Sequence, residues 1–163
     1  MTTELHPLGF FLPENTRLLM LGSFPPPKAR WSMDFYYPNI QNDMWRILGL
    51  IFYGNKDAFL RDKKAFSEEK AKAFCREKGI GIGDTAMEVI RLKANASDKF
   101  LEVVRPIDPE KVLSQIPECV AIVESDGYSP LRIARHGGAE SGLLVGIFLY
   151  GKDDEAVPYA FIL

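Results

Sequence analysis

Between Gly22 and Trp45 the chain concentrates residue types that bind flat, polar ligands. The stretch GSFPPPKARWSMDFYYPNIQNDMW holds four prolines, four Asp or Asn residues and six aromatics. Prolines at positions 25, 26 and 27 fix φ and remove backbone donors, so the remaining N–H groups of a stiff segment are aimed in advance. Tyr36 and Tyr37 offer flat faces with polar tips, suited to stacking on a planar ligand such as a nucleobase. Asn39, Gln41 and Asn42 each carry a donor and an acceptor, which is what reading a base edge or positioning a water requires. A plainer reading stands beside this one, in which FYY is core and Asn42 caps the following helix.

Other chemistries find little support. GIGIGD fails as a dinucleotide fingerprint, because its glycines sit inside a short strand-like run instead of opening a helix at the required spacing. There is no Walker A sequence. A Ser-His-acid triad would have to recruit His6 or His136, both in contexts that do not favour it. A carboxylate pair such as Asp84 with Asp98 has no support from spacing. Cys75 and Cys119 lie far apart without a CxxC pattern, so two buried thiols in a reducing compartment are expected and no zinc site.

The elements that must position the stretch can be read from local signals. Arg17 to Leu21 is a buried strand stopped by Gly22, after a turn at Pro13 to Thr16. Met44, Trp45, Ile47, Leu48, Ile51 and Phe52 recur at helical spacing, with Asn42 and Asp43 as the start and Gly54 as the stop. Ser67 to Lys78 is a more polar helix with Glu68 and Glu69 in its first turn and Gly79 at its exit. Gly79 to Gly83 is a strand whose glycines indicate close approach of another backbone. Thr85 to Leu92 is helical or extended, Asn95 to Asp98 a turn, and Pro109 to Ile116 a helix. Cys119 to Val123 and Gly142 to Tyr150 are the third and fourth strands.

Strands thus alternate with helices, which predicts an α/β chain with a mostly parallel sheet. At 163 residues, 47% hydrophobic, the length suits a single domain over 1–163. A formal net charge of −2 with 26% charged residues excludes an overall basic field, so a polyanion would meet only a local patch, with Arg17, Lys28, Arg30 and Lys93 as candidates. The first dozen residues lack a basic, cleavable leader pattern, and no apolar run reaches the roughly 18 residues of a membrane span, so a cytoplasmic location is expected.

At these residues the sequence resembles the uracil-DNA glycosylase superfamily, most closely its hypoxanthine-DNA glycosylase-like branch, related to the mismatch-specific enzymes. LLMLGSFP is similar to the branch's first motif. FYYPNIQNDMWRIL resembles its FYY-x-x-x-x-N-x-F-W-x-I-L segment, with Met44 in place of the usual Phe, and GIGIGDT followed by RLKANASDKFLEVV resembles the next one. The resemblance runs over about 17–123. It implies a three-layer α/β/α sandwich with a central, mostly parallel four-stranded sheet. The implied activity is metal-independent hydrolysis of the N-glycosidic bond of a damaged base rotated out of duplex DNA. It further implies that Gly22, Ser23, Phe24 and Pro25 wall the pocket, that Tyr37 stacks on the everted base, and that Asp84 approaches the base edge or the sugar. The expected partner is double-stranded DNA carrying a deaminated base of uracil or hypoxanthine type. No cofactor, metal or membrane is expected, and the chain is expected to act as a monomer.

Two departures bear on this. The third position of the first motif, which holds the attacking water in the best-known families as Asp or Asn, is Phe24, as in the hypoxanthine-type branch. Phenylalanine cannot hydrogen-bond a water. Asn42, whose position matches the branch's Asn, is the leading candidate for that task and Asn39 the second. After Val123 the resemblance ends: neither the family's Lys-Ala-Thr helix nor its late Pro-Ser-Ser-type minor-groove loop can be read in 124–163. Reading the codons one nucleotide downstream permits K-A-T-A-T at Glu124 to Tyr128 and a string ending M-P-S-S-S at Gly151 to Leu163, which favours a change of frame near residue 124. Two alternatives therefore stay open: an inactivated nucleic-acid-binding relative without the groove loop, and an unrelated α/β domain that binds a small planar metabolite.

Overall fold

The computed structural model describes residues 2–94, 97–124 and 132–135. The expected strand at Gly142 to Tyr150 and the frame-shifted motifs lie outside the described residues, apart from the backbone of Glu124. In chain order the elements are β1 (Thr3–Leu5), β2 (Leu18–Gly22), α1 (Met44–Tyr53), β3 (Leu60–Asp62), β4 (Ala65–Phe66), α2 (Glu68–Lys78), β5 (Ile80–Asp84), β6 (Ala86–Arg91), β7 (Leu101–Pro106), α3 (Pro109–Leu113), β8 (Ala121–Glu124) and β9 (Arg132–Arg135).

The main sheet runs β5-β2-β8-β9, with β2 parallel to both β5 and β8 and β9 antiparallel to β8. An all-apolar LLML suits a central strand whose two faces are both covered. Side-chain alternation along β2 then divides the interior. Met20 joins Ile80, Ile82 and Val123 and an aromatic cluster in which Trp45 of α1, Phe59, Phe66 of β4 and Phe74 of α2 are buried. Leu19 and Leu21 face the other way, against Val112, Ile116 and Cys119. Burying side chains of this size contributes roughly 1.5–3 kcal/mol each, so this double-sided packing fixes where the strand ends lie.

The local stop signals act as their chemistry predicts. Gly54 and Gly79 take left-handed conformations, φ 62° and 67°, and end α1 and α2. Ser67 Oγ accepts from the Lys70 N–H at 3.3 Å at the start of α2. The expected helix from Pro109 is shorter than its sequence signal: after Leu113 the backbone tightens to i→i−3 bonds at Gln115 and Ile116.

The expected close approach of a backbone occurs at Gly79, just ahead of β5, where Asn15 O lies over the Cα, whereas Gly81 and Gly83 within the strand are met by side chains. Phe11 forms an antiparallel bridge to Ile82, with both N–H···O bonds at 2.9 Å, and the ring of Phe10 lies over the Cα of Gly83. This bridge carries the N-terminal segment along β5. Thr85 to Leu92 resolves as extended: β6 pairs antiparallel with β1 and with β7 in a second, three-stranded sheet. Phe24 packs against this sheet, in a buried cluster with Ala86 and Val89 and the half-buried Leu101.

Candidate active site at the strand ends

In a parallel sheet, ligands are met at the carboxyl ends of the strands, where loops leave for the helices. β2 and β5 end side by side there, with Gly22 opposite Asp84 in register. The loop that follows Gly22 is held by side chains that bond its backbone. Trp45 Nε1 donates to Tyr36 O at 3.0 Å, Trp31 Nε1 to Pro26 O at 2.8 Å, and Ser32 Oγ to Pro38 O at 2.7 Å. Arg91 adds a bond from its guanidinium to Pro25 O at 3.0 Å, while its other edge pairs with Glu4 at 3.0 Å. The loop is therefore fixed from α1, from β6 and from within.

Tyr37 carries the one strained backbone among the described non-glycine residues, with φ 52°. A left-handed residue bearing a side chain costs roughly 1–2 kcal/mol, and the following Pro38 disfavours helical geometry further. The kink directs the ring edge-on to Trp45, with centroids 6.4 Å apart, and places the hydroxyl over Gly22, 3.7 Å from where a Cβ would stand. Tyr37 as a residue is half-buried. Strain of this kind persists only where surrounding contacts enforce it, and it clusters at functional sites.

Asp84 is one of two buried polar residues in the described core, 6% exposed, and its Oδ1 occupies the space above Gly22 that a side chain would fill. Its other oxygen, Oδ2, lies 2.8 Å from His6 Nε2. His6, judged unpromising from sequence, is thus brought into the site: the Phe11–Ile82 bridge delivers the N-terminal segment to the end of β5. Phe24 meets the imidazole edge-on at 5.2 Å and Tyr36 stacks on it at 6.0 Å. Burial, and then the charge of Asp84, push the Tyr36 and Tyr37 hydroxyls well above the ordinary phenol range. Both remain O–H donors throughout the physiological range.

The sequence-predicted residues divide into two groups. Gly22, Phe24, Pro25 and Asp84 are buried and Ser23 and Tyr37 half-buried around one point, the end of β2. Asn39 and Asn42 stand on the rim that enters α1, half-buried and exposed respectively. Asn39 Oδ1 accepts from the Gln41 N–H at 3.0 Å, and Asn42 Oδ1 accepts from the Met44 N–H at 2.8 Å, so each carbonyl serves the local turn. The cap at α1 is made by Asn42, since Asp43, at the N-cap position, gives no side-chain bond.

The four basic residues named for a phosphate-facing patch do not all stand at this end of the sheet. Arg17 precedes β2, at the opposite end of that strand from Gly22, roughly 16 Å away at 3.3 Å per residue. Lys28 pairs with Asp34 and lies over the Trp31 ring at 3.8 Å, beside a cleft of about 460 Å³ lined also by Arg61 and Glu69 but not by Gly22, Tyr37 or Asp84. Arg30 and Lys93 are exposed. The side chain of Asp98 lies outside the described residues. Cys75 and Cys119 are buried free thiols, and burial raises the Cys75 thiol to about 12, which leaves it protonated and unsuited to nucleophilic work.

No protein-family model and no curated protein sequence matches this chain. Among solved structures, a candidate uracil DNA glycosylase from Methanosarcina acetivorans, determined by NMR in solution, superposes with a TM-score of 0.54 at 25% identity. The match covers 71% of this chain and 66% of the neighbour's length. The mixed α/β fold is therefore similar to a uracil-DNA-glycosylase-like fold, with its parallel strands delivering Gly22 and Asp84 to one edge.

Proposed function

We propose that this chain is a DNA glycosylase of the hypoxanthine-type branch, which hydrolyses the N-glycosidic bond of a deaminated base everted from duplex DNA. The observation that carries the reading is the meeting of Gly22, Asp84 and the strained Tyr37 at the end of the central parallel strands, in a fold similar to a glycosylase's. The α/β/α layering belongs to the same proposal and is supported by the opposite facing of Met20 and Leu19 along β2.

The chemistry follows from the bond that breaks. As the C1′–N bond opens, its electron pair leaves with the base and positive charge develops on the sugar, so donors fixed around the base and a carboxylate near the sugar or base edge both favour the transition state. Tyr37 supplies a stacking face and, through its protonated hydroxyl, a donor. Phe24 and Pro25 wall the pocket. Water adds to C1′ and loses a proton, and the side-chain amide of Asn42, or of Asn39, is assigned to hold it, Phe24 having no polar atom. Neither step needs a metal.

The test is a strand-scission assay on duplexes containing uracil, hypoxanthine or xanthine, with alkali to cut at abasic sites. Scission of at least one such duplex, lost in Asn42→Ala, supports the reading. Salt-sensitive binding without scission would instead support an inactivated DNA-binding relative, a reading favoured by the absence of a legible groove loop after Val123. No affinity for DNA would leave the small planar metabolite.

A further inference from the structure

His6 is the polar side chain of the strand-end cluster to which the glycosylase chemistry gives no task. Its side chain is 2% exposed, and it stands 2.8 Å from Asp84 Oδ2 although 78 residues separate the two in sequence. On the far side of the ring, Nδ1 lies against the peptide groups of Leu8, 3.1 Å from the N–H and 2.5 Å from the carbonyl oxygen. If the Leu8 N–H donates to Nδ1, the ring's single proton sits on Nε2; if Nδ1–H donates to the Leu8 carbonyl in a doubly protonated ring, Nε2 is protonated as well. With Asp84 as carboxylate, both arrangements make Nε2–H the donor to Oδ2. Phe24 at the edge and Tyr36 on the face keep the ring from turning.

Oδ2 of Asp84 is engaged by His6, while Oδ1 has no hydrogen-bond partner among the described residues. Oδ1 lies over Gly22, beside the Tyr37 hydroxyl, at the mouth of the parallel strands. A carboxylate oxygen accepts hydrogen bonds and never donates. Uracil and hypoxanthine arise when an exocyclic amine is replaced by a carbonyl, and each then carries a ring N–H beside that carbonyl. Cytosine and adenine have a bare acceptor nitrogen at the same ring position. A fixed acceptor meets the first pair with a hydrogen bond and the second with two buried, mutually unsatisfied acceptors.

We infer that His6 is a positioning residue that clamps Asp84, so that Oδ1 accepts the ring N–H of a lactam base and the site distinguishes each deaminated base from its amino parent. The inference rests on the glycosylase reading for a nucleobase as ligand; the clamp itself rests on geometry.

The experiment is an NMR titration of the full chain with free uracil against cytosine and hypoxanthine against adenine, in wild type, His6→Ala, His6→Gln and Asp84→Asn. A charge-assisted hydrogen bond corresponds to a preference of about 10- to 100-fold for each deaminated base in wild type. His6→Ala reduces that ratio to below about threefold. His6→Gln, whose carboxamide N–H₂ can still donate to Oδ2, restores part of it, and Asp84→Asn erases it. A purely structural His6 would weaken all four bases together and leave the ratio unchanged. Equal binding of parent and deaminated base in wild type, no binding of any base, or an unchanged ratio in folded His6→Ala overturns the inference. A wild type that shows the preference but cuts no duplex removes the glycosylase reading and leaves the clamp standing; scission with an unaltered ratio does the reverse.

Discussion

Replacing Gly22 with alanine tests the strand-end arrangement with a single methyl group. Gly22 is not in a left-handed conformation, since only Gly54 and Gly79 among the described glycines have positive φ, so alanine brings no backbone strain there. The effect is steric: the new Cβ falls on Asp84 Oδ1, closer than real contacts allow, and 3.7 Å from the Tyr37 hydroxyl. Asp84 cannot yield freely, because it is 6% exposed and its other oxygen is tied to His6 at 2.8 Å. Displacing the carboxylate breaks a buried charge-assisted bond, about 1.5–3 kcal/mol, and overpacking adds to this, for a total of about 2–4 kcal/mol. At about 2–4 °C per kcal/mol for a chain of this size, the melting temperature falls by about 4–16 °C. Thermal melts of Gly22→Ala, His6→Ala and the double variant check it. Both substitutions act through one carboxylate, so their costs are non-additive by about 1 kcal/mol or more. A melting temperature within about 1 °C of wild type, or strict additivity, would refute the placement of Asp84 over Gly22.

Three further outcomes are expected. Asn42→Ala loses both the bond to the Met44 N–H and the group that holds water, and so loses about 1 kcal/mol of stability together with scission, whereas Asn42→Asp, whose carboxylate can accept from Met44 and still bind a water, keeps the stability and a measurable part of the scission, as strand-scission assays and thermal melts of the two variants check. Arg91→Met releases Pro25 O and Glu4, and since Glu4 is 43% exposed the cost stays near 1–2 kcal/mol, appearing as faster amide hydrogen exchange at Gly22, Ser23 and Phe24, the N–H groups ahead of the three prolines, with the β6–β7 pairing retained. Burial raises Cys75 from 9.0 to about 12, so an unfolded chain releases that proton first: stability is complete below pH 9 and declines as pH rises toward 12, and urea titrations across that window should show a shallower decline in Cys75→Ala.

The parts of the site that rest on local signals were legible in the sequence. An apolar LLML followed by glycine fixes a central strand and its end, and Gly54 and Gly79 mark helix exits because only glycine enters the left-handed region without penalty. The aromatic spacing after Asn42 defines α1 and its buried face. What escaped depends on pairing across long separations. His6 acquires its meaning only through the Phe11–Ile82 bridge, and no spacing rule links positions 78 residues apart. The second sheet escaped for a related reason: β7, LEVVRP, is exposed over most of its length and shows no alternation of apolar and polar residues, so it has strand character only through its register with β6. Nothing local marks Arg91, whose guanidinium is enclosed by Glu4 and the backbone of Pro25.

The most direct measurement of the central claim is a structure of the full chain bound to a duplex whose target is 2′-fluoro-deoxyuridine, in which fluorine disfavours positive charge on the sugar and slows cleavage. The uracil ring is expected to leave the stack and lie over Gly22, faced by Tyr37, with its ring N–H toward Asp84. A target base still stacked in the helix, or DNA seated away from the ends of β2 and β5, would contradict it.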